Sequence, residues 1–231
     1  MYNRDYLTNQ SSSYSQESSQ AYLMSFLKAT YQLFAGSLLA ATAGAYIGLG
    51  IVNYIVGPMM WVLFAIELAL IFFVIPRVKH TPGVNLAVLF AFTFITGLTL
   101  APILTITFAM PGGAAIVGQA FLMTSIAFGA ISMFAMTTKR DFGFLGKFLF
   151  IALIILIVAG ISNIFIQSSM MQLVIASVGA LLFSVFILYD TQNIIKGNYD
   201  SPVEAALSLY LDFFNLFISL LQILGITRSN D

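Results

Sequence analysis

Long apolar stretches dominate this chain and limit it to folds that a lipid bilayer can hold. Each is close to the roughly 20 residues that an α-helix needs to cross the hydrocarbon core of a membrane. No stretch alternates apolar and polar residues with period two, as the strands of a membrane β-barrel do. The predicted fold class is an all-α integral membrane protein, a seven-transmembrane-helix bundle. Its spans are predicted near residues 30–52, 54–75, 84–107, 114–136, 143–165, 171–195 and 203–225.

Composition agrees with a membrane location and argues against several functions. Only 8% of the 231 residues are charged, whereas soluble domains carry roughly 25%. The net charge is zero, so nucleic acid is not an expected partner. The chain has no cysteine and one histidine, His80, which leaves no thiolate ligands and too little imidazole for a zinc or haem site. No cofactor is expected, and the lipid bilayer is the expected surrounding.

Residues 1–25 are polar and rich in serine, and they precede the first apolar stretch. Such a segment cannot bury enough apolar surface to offset its ordering entropy. We therefore predict a disordered N-terminal tail over 1–25 and a transmembrane domain over 26–231. The tail lacks the basic start and short apolar core of a signal peptide, so the first span is expected to direct insertion itself.

Basic residues lie almost entirely on one side of the predicted spans. Only Arg228 falls on the other side. Lysine and arginine are enriched in cytoplasmic loops, so the amino terminus is predicted to be cytoplasmic and the carboxyl terminus outside. The residues on the basic side are Arg4, Lys28, Arg77, Lys79, Lys139, Arg140, Lys147 and Lys196.

Two aspartates, Asp190 and Asp212, lie inside the sixth and seventh apolar stretches. A carboxylate at membrane depth costs about 2.5 kcal/mol or more unless it is paired, protonated or hydrated. The connection between these two spans is short, which makes them antiparallel neighbours. Both aspartates lie in the half of the membrane nearest this connection, so a carboxyl pair is predicted. Two adjacent carboxylates cannot both ionise cheaply and tend to share a proton, which favours a pH sensor.

The seventh span also carries a polar stripe. Its members recur at i, i+4, i+7, i+11 and i+14, which places them on one helical face. Lipid cannot satisfy such a face, so it must meet the bundle interior or water. Hydrogen bonds between helices would explain the serines and the asparagine, but they explain two aspartates poorly. An ion pathway is therefore predicted along Ser208, Asp212, Asn215, Ser219 and Gln222.

Two residues of the second span are further candidates. Glu67 lies near its middle, with no lysine or arginine at the same depth, and is predicted either as a pathway or proton site or as a protonated structural acid. Arg77 lies at its basic end. It is predicted either to latch onto the ionised aspartate pair or to serve as an ordinary interfacial anchor.

The carboxyl-terminal third closely resembles the Bax inhibitor-1 (transmembrane Bax inhibitor motif) family. The match is densest over residues 181–226, and upstream runs in the second, third and fifth spans fit bacterial members. The segments that carry the resemblance include Tyr189-Asp190-Thr191-Gln192-Asn193-Ile194-Ile195, Leu209-Tyr210-Leu211-Asp212-Phe213-Phe214-Asn215, Thr96-Gly97-Leu98-Thr99 and Gly160-Ile161-Ser162-Asn163.

The resemblance implies a pH-sensitive aspartate pair, here Asp190 and Asp212, that controls a calcium leak in a bacterial inner membrane. In bacterial relatives an arginine at the end of the second span engages the pair, which Arg77 matches loosely. Calcium prefers six to eight oxygen ligands, so two carboxylates would bind it weakly and release it readily. Some bacterial relatives also bind a membrane-anchored protease.

Three functions follow from these observations. The first is a pH-sensitive cation leak, with calcium and protons as the transported or gating ions. The second is a non-transporting membrane regulator that binds a membrane-anchored protease or a stress or death-pathway partner. The third, an intramembrane aspartyl protease, is disfavoured because Tyr210-Leu211-Asp212 replaces the Gly-x-Gly-Asp setting of those enzymes. No catalytic residues are predicted, and the chain is not expected to be an enzyme.

Overall fold

The computed structural model describes the backbone of residues 4–229 and the side chains of residues 20–228. Within that part of the chain every regular element is helical. Seven helices are long and apolar enough to cross a membrane. This confirms the predicted seven-helix bundle. The helices are α1 (Arg4–Gly50), α2 (Pro58–Val78), α3 (Val84–Phe108), α4 (Gly113–Thr137), α5 (Leu145–Ile166), α6 (Ser169–Ile195) and α7 (Pro202–Ser229).

The first helix begins much earlier than the first predicted span. Its backbone is helical from Arg4, whereas we predicted disorder over 1–25. Only the part over Gln20–Gly50 is apolar enough to cross a membrane. Extending an existing helix costs far less than starting one, so a polar segment joined to a span can continue it. Residues 1–3 and the side chains of residues 4–19 lie outside the described part.

Turn residues set the helix boundaries where the sequence predicted breaks. Gly57 has φ 91° directly before α2, and Pro58 is the first residue of that helix. Only glycine adopts such a φ without strain, and proline at the first helical position loses no hydrogen bond. Gly197, with φ 72°, turns the chain between α6 and α7. These turns make consecutive spans antiparallel.

The seventh helix occupies the centre of the bundle. It packs against α1, α4 and α6 and touches α3. Helix α2 packs mainly against α3, and α5 packs against α6. The closest helix contact joins α1 and α3, where a Cβ at Gly97 would collide with the carbonyl oxygen of Ala41. Small residues allow backbones to approach in this way within a membrane.

One face of α7 is aromatic. The ring of Phe213 lies 5.8 Å from that of Phe34 on α1 and 5.6 Å from that of Phe128 on α4, centroid to centroid. Phe34 and Phe128 stack on each other at 4.8 Å. This three-ring contact fixes the rotation of α7. Its polar stripe consequently turns away from α1, toward α6.

Ion pairs bring three helix connections to the same end of the bundle. Lys79, just after α2, pairs with Asp200 between α6 and α7. Lys196, just after α6, pairs with Asp141 between α4 and α5. We call this end the basic end. The charge asymmetry in the sequence therefore corresponds to one physical end of the molecule, although which end faces the cytoplasm stays a prediction.

Candidate functional site

A cavity of about 580 Å³ lies between α2, α5, α6 and α7. Most of its wall is apolar, contributed by leucine, isoleucine and phenylalanine side chains. Its polar residues are few and come from α6 and α7 alone. All five members of the predicted stripe are among them, together with the aspartate of α6. The polar residues are Asp190, Ser208, Asp212, Asn215, Ser219 and Gln222.

Asp190 and Asp212 form a buried carboxyl pair at this cavity. Their side chains interact directly, and the residues are only 8% and 4% exposed. The Oδ2 atom of Asp212 is buried and has no hydrogen-bond partner. Within residues 20–228, no lysine, arginine or histidine forms an ion pair with either aspartate. A buried carboxyl oxygen without a partner is costly, so the site favours a proton, a water molecule or a cation.

The hydroxyl of Tyr199 approaches the pair from the basic end. Tyr199 lies in the connection between α6 and α7, and it interacts with Asp190 and with Ser208. Burial, followed by the nearby charge of Asp190, raises the pKa of Tyr199 far above its ordinary value. The phenol therefore keeps its proton beside the carboxyl group. Sequence reasoning missed Tyr199, although its place midway between the two aspartates was a usable signal.

Lys79 ties the end of α2 to the connection that carries Tyr199. Its Nζ lies 2.7 Å from Oδ2 of Asp200 and 3.3 Å from Oε2 of Glu204. The hydrogen bond with Asp200 raises the pKa of Lys79 and lowers that of Asp200. From the sequence alone, Lys79 is assigned only to the basic side of the membrane. Its partner Asp200 could not be identified from the sequence, because the two residues meet only in the folded bundle.

Arg77, the predicted latch, points elsewhere in this structure. Its guanidinium donates to the carbonyl oxygen of Phe73, one turn earlier on the same helix. It forms no ion pair with Asp190 or Asp212 in the described part of the chain. In this structure Arg77 does not contact the aspartate pair. Its two predicted roles, a latch that engages the pair in another conformation and an ordinary interfacial anchor, both stay predictions.

Glu67 lies apart from the aspartate pair. Its Oε1 accepts a hydrogen bond of 2.8 Å from the hydroxyl of Thr99 on α3. One turn earlier, Thr96 hydrogen-bonds the hydroxyl of Tyr210, which is fully buried on α7. Glu67 does not belong to the cavity wall, which Leu68 and Ile71 supply from the same helix. The structure thus separates the third membrane acid from the other two.

A second cavity, of about 480 Å³, adjoins the first at the opposite end of the bundle. Gln222 lines both cavities. The second cavity is also polar at its far side, where the amide of Asn163 donates to Gln172 over 3.1 Å. The two cavities together extend the polar stripe from the aspartate pair to the opposite end of α7.

A third, smaller cavity lies at the basic end. Its volume is about 210 Å³, and its wall includes Phe26 of α1, Ile195 of α6 and Tyr199. Tyr199 therefore borders this cavity on one side, while its hydroxyl reaches residues of the central cavity on the other. The three cavities thus lie at the basic end, beside the aspartate pair and at the opposite end of the bundle.

Gln192 fastens the connection between α4 and α5. Its amide nitrogen donates to the carbonyl oxygen of Arg140 over 2.8 Å, and its oxygen accepts from the backbone N–H of Phe142 over 3.0 Å. The side chain is only 5% exposed. Sequence reasoning gave Gln192 no role, because an amide two residues after Asp190 does not indicate which distant backbone it bonds.

The acidic residues of the described chain do not form a cluster that would hold a metal ion tightly. No group of three or more histidine, cysteine, aspartate or glutamate side chains lies together there. The aspartate pair could nevertheless contact a cation through two carboxyl groups, with oxygens of Ser208 and Asn215 along the same wall. Calcium accepts carboxylate, amide and hydroxyl oxygens, with water completing its shell.

A carboxyl pair facing a cavity inside seven spans defines a multi-pass membrane protein with an internal polar site. The family model described as Inhibitor of apoptosis-promoting Bax1 matches residues 23–229. The chain belongs to this family, which confirms the resemblance to Bax inhibitor-1 proteins.

Similar chains occur in several bacteria and in a virus. A Campylobacter jejuni protein of uncharacterized function is 49% identical over 227 residues, covering 97% of this chain and 96% of its own length. An uncharacterized membrane protein of Vibrio cholerae is 40% identical over 206 residues, or 89% of this chain and 91% of its own. A Golgi anti-apoptotic protein of Vaccinia virus is 41% identical over 151 residues, or 65% of this chain and 62% of its own.

Proposed function

We propose that this protein is a pH-sensitive cation leak channel, permeable to calcium, whose gate is the pair Asp190 and Asp212. One observation carries the proposal: the aspartate pair and the whole polar stripe of α7 line a single internal cavity. Polar side chains inside a membrane domain are costly, and their convergence on a cavity is typical of an ion pathway. Gln222 continues the route into the second cavity.

The chemistry of the cavity suits transient binding. Two carboxyl groups with hydroxyl and amide oxygens attract a divalent cation, but they supply fewer ligands than the six to eight that calcium prefers. Water must complete the shell, so the ion is held weakly. Conduction requires binding that is favourable enough for entry and weak enough for release.

Protons compete with the cation for the same carboxyl oxygens. Loss of the shared proton increases the negative charge of the pair and the repulsion between α6 and α7. The pair can then rearrange, contacts among α2, α6 and α7 shift, and water fills the route along the stripe. Arg77 is available to engage the ionised pair once α2 moves.

The proposal includes a location and an orientation. The excess of lysine and arginine at the basic end favours a cytoplasmic basic end, with the amino terminus inside and the carboxyl terminus outside. The bacterial relatives favour the inner membrane. We infer a transport role and no catalytic one, since Asp212 follows Tyr210-Leu211 on an unbroken helix, unlike the setting of an intramembrane protease.

Calcium flux into proteoliposomes across pH 6–8 tests the proposal. The parent is compared with Asp190→Asn and Asp212→Asn, which keep the side-chain shape and remove the titrating group. Asp141→Asn is the matched control, because Asp141 lies at the same end but outside the cavity. We expect flux that depends on pH in the parent and the control, and flux without that dependence in the two cavity variants.

A non-transporting regulator is the second candidate. The Vaccinia virus relative described as a Golgi anti-apoptotic protein favours it. Such a regulator would bind a membrane-anchored protease or a stress or death-pathway partner. Flux no greater than in empty vesicles, from protein that elutes as a folded species, would overturn the channel and favour this candidate.

A further inference from the structure

Tyr199 lies at the boundary between two of the three cavities. Its side chain belongs to the wall of the small cavity at the basic end. Its hydroxyl interacts with Asp190 and Ser208, which both line the central cavity. Tyr199 therefore lies between the small cavity and two residues of the central cavity's wall. The aromatic ring is large enough to close a narrow passage, because such a ring buries about 150 Å² or more.

The backbone on both sides of Tyr199 is held in place. Before it, the N–H of Asn198 donates to the carbonyl oxygen of Asn193 over 2.9 Å, and Gly197 takes the left-handed turn. After it, the buried hydroxyl of Ser201 accepts from the N–H of Val203 over 3.1 Å, at the first turn of α7. The ring position is therefore determined by the connection rather than by solvent.

Lys79 adds a contact from outside the α6–α7 hairpin. It binds Asp200, the residue next to Tyr199, and Glu204 on the first turn of α7. Movement at the basic end of α2 therefore acts on the segment that carries Tyr199. Because the lysine lies beyond the membrane span, water and salt reach this contact and can loosen it.

The helix that ends just before Lys79 has an irregular turn at the level of the cavity. Residues Leu70–Val74 form a π-helical turn within α2. Ile71, inside that turn, lines the central cavity. Such turns are rare and frequently occur at functional sites, since they mark a place where a helix can change its register. Leu68 of the cavity wall and the Lys79 contact thus lie on either side of this one irregular turn.

From this geometry we propose that Tyr199 is the plug that closes the central cavity toward the basic end, and that Lys79 is the positioning residue that holds the plug shut. This inference rests on the proposed function, because it names the residue that closes the same route on one side of the aspartate pair. In this proposal the phenol ring of Tyr199, in the connection between α6 and α7, closes the pathway at the basic end. The aspartate pair lies behind that phenol.

Cysteine accessibility tests the plug without measuring transport. The chain has no cysteine, so Asn215→Cys gives a single thiol in the wall of the central cavity. A second single-thiol variant, Asn198→Cys, marks the basic end, because Asn198 is exposed in the same connection. A charged maleimide that cannot cross the membrane is applied to vesicles of both orientations. Labelling of Asn198→Cys identifies the side from which the basic end is reached.

From that side we expect Tyr199→Ala to speed labelling of Asn215→Cys by about tenfold or more, since the rate follows the fraction of open molecules. Tyr189→Ala is the matched control. Tyr189 is another half-buried tyrosine near the basic end, but it packs on Gly146 and lines none of the three cavities. An unchanged rate in Tyr199→Ala, or an equal increase in Tyr189→Ala, would overturn the plug.

Lys79 is tested on the same thiol. Lys79→Gln should speed labelling of Asn215→Cys from the basic end, whereas Lys79→Arg, which keeps the charge, should not. If both variants label at the parent rate, Lys79 does not position the plug. The readout is thiol modification, so it is independent of calcium flux. If Tyr199→Ala does not speed labelling but the parent conducts calcium, the plug is wrong and the channel proposal stands. If Tyr199→Ala speeds labelling but the parent conducts no calcium, only the channel proposal is contradicted.

Discussion

Nζ of Lys79 and Oδ2 of Asp200 lie 2.7 Å apart, although 121 residues separate them in the chain. This ion pair joins the end of α2 to the connection between α6 and α7. The α6–α7 hairpin carries both members of the aspartate pair, and α2 contributes part of the cavity wall. The contact therefore links a helix of the cavity wall to the connection between the two helices that carry the aspartates.

The ion pair should be intact over a broad range of pH. The pKa of Asp200 is lowered, so its contribution is present above the ordinary aspartate value of about 3.9 and is lost as pH falls through the lower folded value. The pKa of Lys79 is raised, so its contribution is present below about 10.4 and is lost as pH rises through the higher folded value. In a variant that carries both Asp190→Asn and Asp212→Asn, so that the aspartate pair cannot titrate, a spin-label distance between the end of α2 and the α6–α7 connection should stay constant between about pH 5 and pH 9.

High salt and reversal of the charge at Lys79 should both change the distance distribution that this measurement reports. Adding salt to 1 M, where the screening length is about 3 Å, should broaden the distance distribution. Lys79→Asp should lengthen the distance, and Lys79→Asp combined with Asp200→Lys should restore it. A distance that neither variant changes would mean that the ion pair does not hold the two segments together.

Glu67→Gln should leave the pH dependence of calcium flux unchanged. The glutamine oxygen can still accept the hydrogen bond from Thr99, and position 67 lies outside the wall of the cavity. Flux is measured in the same proteoliposomes as for Asp212→Asn, which should lose the dependence. A profile in Glu67→Gln that matches Asp212→Asn would instead make Glu67 part of the proton site, as one reading of the sequence predicted.

Gly97→Ala should lower the free energy of unfolding by about 1–3 kcal/mol, the usual cost of overpacking a tight contact. The new Cβ would meet the backbone of Ala41, which cannot yield as a flexible side chain would. Thermal unfolding in detergent measures the effect. Gly129→Ala is the control, since open space surrounds that position. Alanine favours a helix over glycine by up to about 1 kcal/mol, so the control should be equally stable or more stable.

Gln192→Ala should loosen the connection between α4 and α5. The variant removes both hydrogen bonds to the backbone of Arg140 and Phe142, each worth about 1 kcal/mol net. Hydrogen exchange at the Phe142 amide should accelerate by roughly fivefold or more, as a loss of 1 kcal/mol predicts. Gln119→Ala, an exposed glutamine on α4, should leave that amide unchanged. Equal exchange in both variants would contradict the assigned role of Gln192.

The spans and the stripe could be predicted because each depends on a local property. A bilayer requires about 20 apolar residues in a row, which is visible without knowing any neighbour. The predicted span 84–107 and the observed Val84–Phe108 differ by one residue at one end. The helical period alone put Ser208, Asp212 and Asn215 on one face. The start of α1 was missed, because composition does not show whether a polar segment continues a helix.

The sequence by itself determined the number and order of the spans, the polar face of α7 and the family. Only the tertiary structure decided which elements meet that face. It separated Glu67 from the aspartate pair, brought Lys79 to Asp200, and placed the hydroxyl of Tyr199 against Asp190. The reason is physical: hydropathy and helical period act along a single helix, whereas these contacts depend on how the helices rotate and pack against each other.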